Sequence, residues 1–271
     1  MPSNRLELIL KRLQEAHRPA LIAYLTAGDP DLETSFMLAR AVAEAGADVL
    51  ELGLPFSDPL ADGPVLQAAS QRALDAGTTT KAVLDLARRL RKALPARSGL
   101  GVPLVLLTYY NPVLQQGLDG FCQKARESGI DALVVPDLAY EESGPLRAAC
   151  QAEDLVLVDF IAPTTPPSRQ QIIAAGARGF IYCVAVTGVT GARAELWPGL
   201  EEFIRGIRQY TGVPLAVGFG INGPEQARAV ARFADAVIVG SALVQRAHEA
   251  GSRAVEAVSE FTASIRQALD G

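Results

Sequence analysis

The sequence predicts an α/β protein closed as a (β/α)8 barrel, the TIM barrel, with an extra helix ahead of the first strand. Three observations predict it. A helix-to-strand junction recurs: Ala45-Gly46-Ala47-Asp48-Val49-Leu50 resembles Ser128-Gly129-Ile130-Asp131-Ala132-Leu133, and looser versions stand at Ala175–Phe180 and Phe233–Ile238. The segments after these junctions are continuous apolar runs, the pattern of parallel strands buried on both faces by helices. Eight such runs can be counted, and the 271 residues of the chain suit a single barrel, which typically takes ~250. A doubly wound open sheet is the runner-up, but its GxGxxG fingerprint is missing after the first strand.

Taken in order, Asn4 to about Glu15 reads as an amphipathic helix. Asn4 with Glu7 resembles a capping box, and Leu6, Ile9, Leu10 and Leu13 share one face. Ala20–Thr26 is the first strand and runs into Gly28-Asp29-Pro30. A helix from about Glu33 ends at Gly46, a natural C′ residue. The remaining strands are Asp48–Leu52, Pro103–Tyr109, Ala132–Val135, Leu155–Ile161, Gly179–Val184, Pro214–Val217 and Ala236–Val239. No linker or charge block interrupts the series. The Pro- and Thr-rich run Pro163–Ser168 directly follows a strand and reads as a βα loop, so 1–271 is expected to be one domain.

Composition narrows the function classes. The chain is 49% hydrophobic and 20% charged, with a formal net charge of −5. A nucleic-acid binder carries the opposite balance. No apolar run reaches the ~18 residues of a membrane span, and the N-terminus lacks a signal-peptide core. Cys122, Cys150 and Cys183 are odd in number and far apart, without a CxxC motif; they suggest reduced thiols and a cytoplasmic protein.

In a barrel the site stands at the C-terminal ends of the strands and in the loops beyond them. The richest of these stretches is Glu51-Leu52-Gly53-Leu54-Pro55-Phe56-Ser57-Asp58-Pro59-Leu60-Ala61-Asp62-Gly63-Pro64. Glu51 puts a charge at the end of an apolar strand, where burial is unfavourable without a purpose. It is expected to have a raised pKa and to move a proton near neutral pH, with Asp62 staying ionised. After strands seven and eight, Gly218–Asn222 and Gly240-Ser241 are glycine-rich turns entering helices, where barrels commonly hold phosphate. His17 and His248 fall in expected helices, and Lys11, Lys81, Lys92 and Lys124 in or beside helical segments. Neither a Schiff-base lysine nor a histidine zinc site is therefore within reach, and no spacing signature supports a metal at Glu51, Asp62 and Asp137. Carboxylate acid/base chemistry remains. Cys183 reads as a buried inert thiol. Asp159 faces the helical layer and meets an arginine.

The stretch from Glu51 to Pro64 resembles the signature of the tryptophan synthase alpha subunit family. The likeness continues in Thr26–Pro30, Tyr109–Pro112, Val135–Leu138, Ile161–Pro163, Gly188–Gly191, Gly218–Ile221 and Gly240-Ser241, and so covers nearly the whole chain. The resemblance implies a retro-aldol cleavage of indole-3-glycerol phosphate to indole and glyceraldehyde 3-phosphate. It implies that Glu51 is the general acid/base, that Asp62 receives the indole N–H, and that Tyr182 helps position Glu51. It puts phosphate on the backbone of Gly191, Gly218, Gly220, Gly240 and Ser241, and indole in a slot lined by Tyr24, Leu107, Tyr109, Val134 and Phe160. Thr190 would meet Asp62 when the loops after strands two and six close. The same loops would face a beta subunit, with Pro55, Asp58 and Pro59 at the interface of an alpha2-beta2 complex. This chain itself would need no cofactor; pyridoxal phosphate would belong to the beta subunit. Ala139 stands where the family commonly has proline, and Tyr24 adds a hydroxyl to the slot. A free-standing indole-3-glycerol phosphate lyase, a non-catalytic regulatory module and a phosphosugar isomerase are the alternatives.

Overall fold

Strands that are apolar on both faces need cover on both, and this chain supplies it by closing them into a ring and wrapping the ring in helices. The computed structural model describes residues 4–94, 96–97, 99–184, 197–218 and 220–271. The ring strands are β1 (Ala20–Thr26), β2 (Val49–Gly53), β3 (Leu104–Leu107), β4 (Ala132–Val134), β5 (Val156–Ile161), β6 (Ile181–Val184), β7 (Leu215–Gly218) and β8 (Ala236–Val239). Each pairs in parallel with the next, and Ala20 opposite Ala236 closes the ring. The helices among the described residues are α1 (Arg5–Glu15), α2 (Leu32–Glu44), α3 (Pro64–Asp75), α4 (Thr80–Ala93), α5 (Tyr110–Gln116) and α6 (Leu118–Glu127). They continue with α7 (Gly144–Ala152), α8 (Pro167–Gly176), α9 (Leu200–Arg208), α10 (Pro224–Ala231), α11 (Ser241–Ala250) and α12 (Ala254–Asp270).

Because side chains alternate across a strand, the ring has two apolar layers. Ile22, Val49, Val105, Val134, Val158, Tyr182 and Ile238 pack inside it. Leu21, Leu50, Leu52, Leu104, Leu133, Leu157 and Val237 face outward against the helices. Registration puts Tyr24 beside Glu51, Leu107 beside Val134, and Phe160 beside Tyr182. The inner layer therefore rises from small aliphatics at the bottom to tyrosines and a carboxylate at the top.

The recurring junction has a physical purpose that the sequence pattern does not state. At the bottom of the ring an N–H near the start of a strand that lacks a ladder partner must find another acceptor. Asp48 takes the N–H of Leu21 at 2.9 Å, Asp131 that of Leu104 at 2.9 Å, and Asp235 that of Leu215 at 2.7 Å. Each aspartate is then matched by arginine: Asp48 by Arg18 (2.8 Å) and Arg266 (2.9 Å), Asp131 by Arg5 (2.7 Å) and Arg91 (2.8 Å), Asp235 by Arg208. The junction before β6 carries Arg178 instead, and it pairs with Glu7 at 2.8 Å.

That last pair corrects the capping box. Asn4 caps α1 by accepting from the N–H of Leu6 at 2.9 Å, while Glu7 turns away to Arg178. The Asn4 amide also donates to the carbonyls of Asp131 (2.9 Å) and Asp154 (2.7 Å), and Leu6 and Leu10 plug the inner layer from below. His17 lies beyond the end of α1 with φ +51°, not in a helix. β3 stops at Leu107, two residues early, because Tyr109 is already the N-cap of α5. A short antiparallel ribbon, Ala96–Arg97 with Leu100–Gly101, carries no periodicity and went unanticipated. Asp159 meets Arg147 at 2.6 Å in the helical layer, and Cys183 is a buried thiol pushed up by burial.

Candidate active site

The inward alternation of β2 aims Glu51 into the upper end of the ring, where it is 0% exposed. Neither of its oxygens has a hydrogen-bond partner among the described residues. A buried carboxylate with nothing to bond resists ionisation. Burial first, and the nearby charge of Asp62 second, push Glu51 up to about 8.

Asp62 arrives by a different route. The loop after β2 turns back through bonds from Leu60 N–H to the Asp58 carbonyl (2.9 Å) and from Asp62 N–H to the Pro59 carbonyl (3.0 Å). It then enters α3 at Pro64, a residue suited to the first turn of a helix. Arg72 of α3 grips Asp29 after β1 with two bonds of 2.7 and 2.8 Å, which fixes the helix against the barrel mouth. Asp62 is half-buried. Burial pushes its carboxyl up to about 6, and the hydrogen bond from Tyr109 acts the other way. It therefore stays mostly ionised at neutral pH, with a smaller margin than the sequence implied.

Tyr109 organises this loop. Its hydroxyl accepts from the N–H of Ala61 at 3.0 Å and hydrogen-bonds Asp62, and its ring stacks on Phe56 with centroids 5.2 Å apart. Asp137, after β4, holds the base of the same residue by accepting from the N–H of Tyr110 at 2.9 and 3.1 Å. Phe56 and Asp137 had no assigned role in the sequence reading. Ring stacking leaves no trace in residue spacing, and Asp137 acts across a strand boundary.

Tyr24 and Tyr182 crowd the carboxylates, and burial pushes both hydroxyls up. Tyr24 lies 3.3 Å from the Thr26 hydroxyl. Tyr182 stacks on Phe160 with centroids 4.9 Å apart. Tyr182 stands close enough to Glu51 for a negative charge there to raise its hydroxyl further. Two glycines admit these rings. A Cβ on Gly53 would stand 2.1 Å from the Tyr24 hydroxyl, and one on Gly218 would stand 2.4 Å from the Tyr182 ring.

The structure brings Tyr24, Glu51, Leu107, Val134, Phe160 and Tyr182 to one inner surface, with Tyr109 and Asp62 at its rim. Beside Tyr24, Gly240 is the N-cap of α11, which starts at Ser241 without a side-chain cap. Gly218 ends β7 and Gly220 turns with φ +81°, but α10 begins only at Pro224, so this turn does not lead straight into a helix. Thr190 and Gly191 lie outside the described residues. Asp58 is exposed, Pro59 half-buried and Pro55 buried. Leu60 between them and Asp62 is 92% exposed.

A buried acid raised to about 8 and a second raised to about 6, set at the C-terminal mouth of a (β/α)8 barrel, are the pairing that suits a barrel enzyme to carboxylate proton chemistry. Comparison with known proteins gives the class a family. The family model described as tryptophan synthase alpha chain matches residues 10–270. The tryptophan synthase alpha chain of Thermosynechococcus vestitus is 48% identical over 93% of this chain and 93% of its own length. That of Caldanaerobacter subterraneus is 41% identical over 98% and 100%. The crystal structure of tryptophan synthase subunit alpha from Legionella pneumophila superposes with a TM-score of 0.89 at 37% identity, covering 98% of both chains. The chain belongs to the tryptophan synthase alpha chain family. No helix among its described residues is long and apolar enough to cross a membrane.

Proposed function

We propose that this chain is the alpha subunit of a tryptophan synthase and cleaves indole-3-glycerol phosphate to indole and glyceraldehyde 3-phosphate. The observation that carries the site assignment is Glu51: completely buried, without a hydrogen-bond partner among the described residues, and pushed up to about 8. Such a group is protonated at neutral pH and can hand its proton to carbon C3 of the indole ring. Asp62, ionised above about 6, accepts from the ring N–H and stabilises the positive charge that C3 protonation creates. The Glu51 carboxylate then removes the proton of the side-chain hydroxyl adjoining the ring. The bond from that carbon to C3 breaks, its electrons return to the indole, the hydroxyl carbon becomes the aldehyde, and Glu51 ends protonated. No proton is consumed overall.

Tyr24, Leu107, Val134 and Phe160 supply the apolar walls for indole, with Tyr109 and Tyr182 at either side. The backbone at Gly218, Gly220, Gly240 and Ser241, together with Gly191, binds the phosphate, and Thr190 completes the closed site against Asp62. The chain works in the cytoplasm as part of an alpha2-beta2 complex. The beta subunit carries pyridoxal phosphate and receives the indole. The exposed loop of Asp58, Pro59 and Leu60, with the Leu60 side chain 92% open to solvent beside the mouth, supports a partner surface there.

Incubation with indole-3-glycerol phosphate and detection of indole by mass tests the reading. Glu51→Gln should lower turnover by roughly 10²–10⁴-fold. A variant with turnover near that of the parent would remove Glu51 from the mechanism. Assay with and without a beta subunit separates a complex member from a free-standing lyase.

A further inference from the structure

Cys122 and Cys150 take no part in the chemistry above. They face each other across the seam between α6 and α7, both buried, with sulfurs 3.7 Å apart and unbonded. Bringing them to the ~2.05 Å of a disulfide moves each sulfur by roughly 0.8 Å. The surrounding frame is firm: Arg147, one turn before Cys150, is held by Asp159 at 2.6 Å. The third cysteine, Cys183, sits on β6 with its thiol directed to the Ile181 carbonyl at 3.7 Å, away from the seam.

We infer that Cys122 and Cys150 form a reversible disulfide that staples α6 to α7 when a low-molecular-weight disulfide serves as oxidant. In the first exchange the Cys122 thiolate attacks one sulfur of the oxidant, forming a mixed disulfide and expelling one small thiolate. In the second, Cys150 gives up its proton and attacks the Cys122 sulfur, expelling the other. Two protein thiols are oxidised, one small disulfide is reduced to two thiols, and the two protons leave the cysteines for those products. Either sulfur can donate its S–H to the other, so either cysteine can serve as the first nucleophile, and the two roles can be exchanged. Neither sulfur meets solvent, so exchange proceeds through local opening of the seam and is slow.

The test uses the native full chain, incubated with 2-hydroxyethyl disulfide, then unfolded, alkylated and digested without reductant. The expected map has one linked pair containing Cys122 and Cys150, with Cys183 alkylated. The chain mass falls by two hydrogens, and dithiothreitol restores it. Cys150→Ala should leave a mixed disulfide on Cys122 that does not resolve. Where that variant does not fold, the parent map decides alone. Three alkylatable thiols after prolonged incubation, or a link through Cys183, overturns the inference.

Discussion

Two carboxylates with different environments set the pH behaviour of the site. In the proposed reaction Asp62 must be ionised to hold the indole N–H, and Glu51 must be protonated to act as the acid. With Asp62 pushed up to about 6 and Glu51 up to about 8, kcat/KM should follow a bell that falls below about pH 6 and above about pH 8. The two limbs belong to the coupled pair, since each charge acts on the other group. A profile flat from pH 5 to 9 would contradict the assignment. The same shift has a stability consequence of opposite sign to the familiar salt-bridged acid. Glu51 binds its proton more tightly folded than unfolded, so folding stability falls as pH rises from about 4.5 to about 8 and is level beyond. Glu51→Gln does not titrate. Its stability advantage over the parent should therefore grow across that window to on the order of 3 kcal/mol by pH 7. Urea unfolding of both proteins at several pH values measures it, and a gap constant with pH would show that Glu51 ionises normally.

At the scale of elements, the site depends on how the loop after β2 is tied to its neighbours. Tyr109, at the start of α5, anchors Ala61 and hydrogen-bonds Asp62; Asp137, beyond β4, secures Tyr110. The Tyr109 bond favours the ionised form of Asp62, so Tyr109→Phe should move the acidic limb of the bell to higher pH while leaving the basic limb in place. A basic limb that moved instead would locate the influence of Tyr109 on Glu51. The fold of this region was only partly legible in residue order. The acids and prolines of the loop marked it as special, and Glu51 stood out as a charge ending an apolar strand. The Phe56 stack and the external cap from Asp137 join separate loops, and no local pattern announces either.

For the whole molecule, stability and chemistry occupy opposite ends of the barrel. At the lower end, Asp131 is fully buried, takes the Leu104 N–H, and neutralises Arg5 and Arg91. Asp131→Ala leaves that donor and two partly buried guanidinium groups without it, and should destabilise the chain by about 3 kcal/mol. Asp235→Ala should do less, since its carboxylate is more open to solvent and meets a single arginine in Arg208. Both variants should keep kcat near that of the parent under conditions where they remain folded, because the affected residues lie at the end of the strands away from Glu51. Chemical denaturation and assay of the same samples measure both effects, and a large loss of kcat in folded Asp131→Ala would break the division between the two ends.

Residue order alone dictates that eight doubly buried strands alternate with helices, that Glu51 and Asp62 stand at a mouth without lysine or histidine, and that glycine turns face them. These are consequences of local chemistry: apolar runs, caps and turns act over a few residues. Closure of the ring decides the rest. It strips Glu51 of every hydrogen-bond partner among the described residues, turns Asp48, Asp131 and Asp235 into acceptors for neighbouring strands, buries Pro55 and sets Cys122 against Cys150. Burial, charge proximity and contact between distant segments are properties of three-dimensional packing, and they exist only once β1 has met β8.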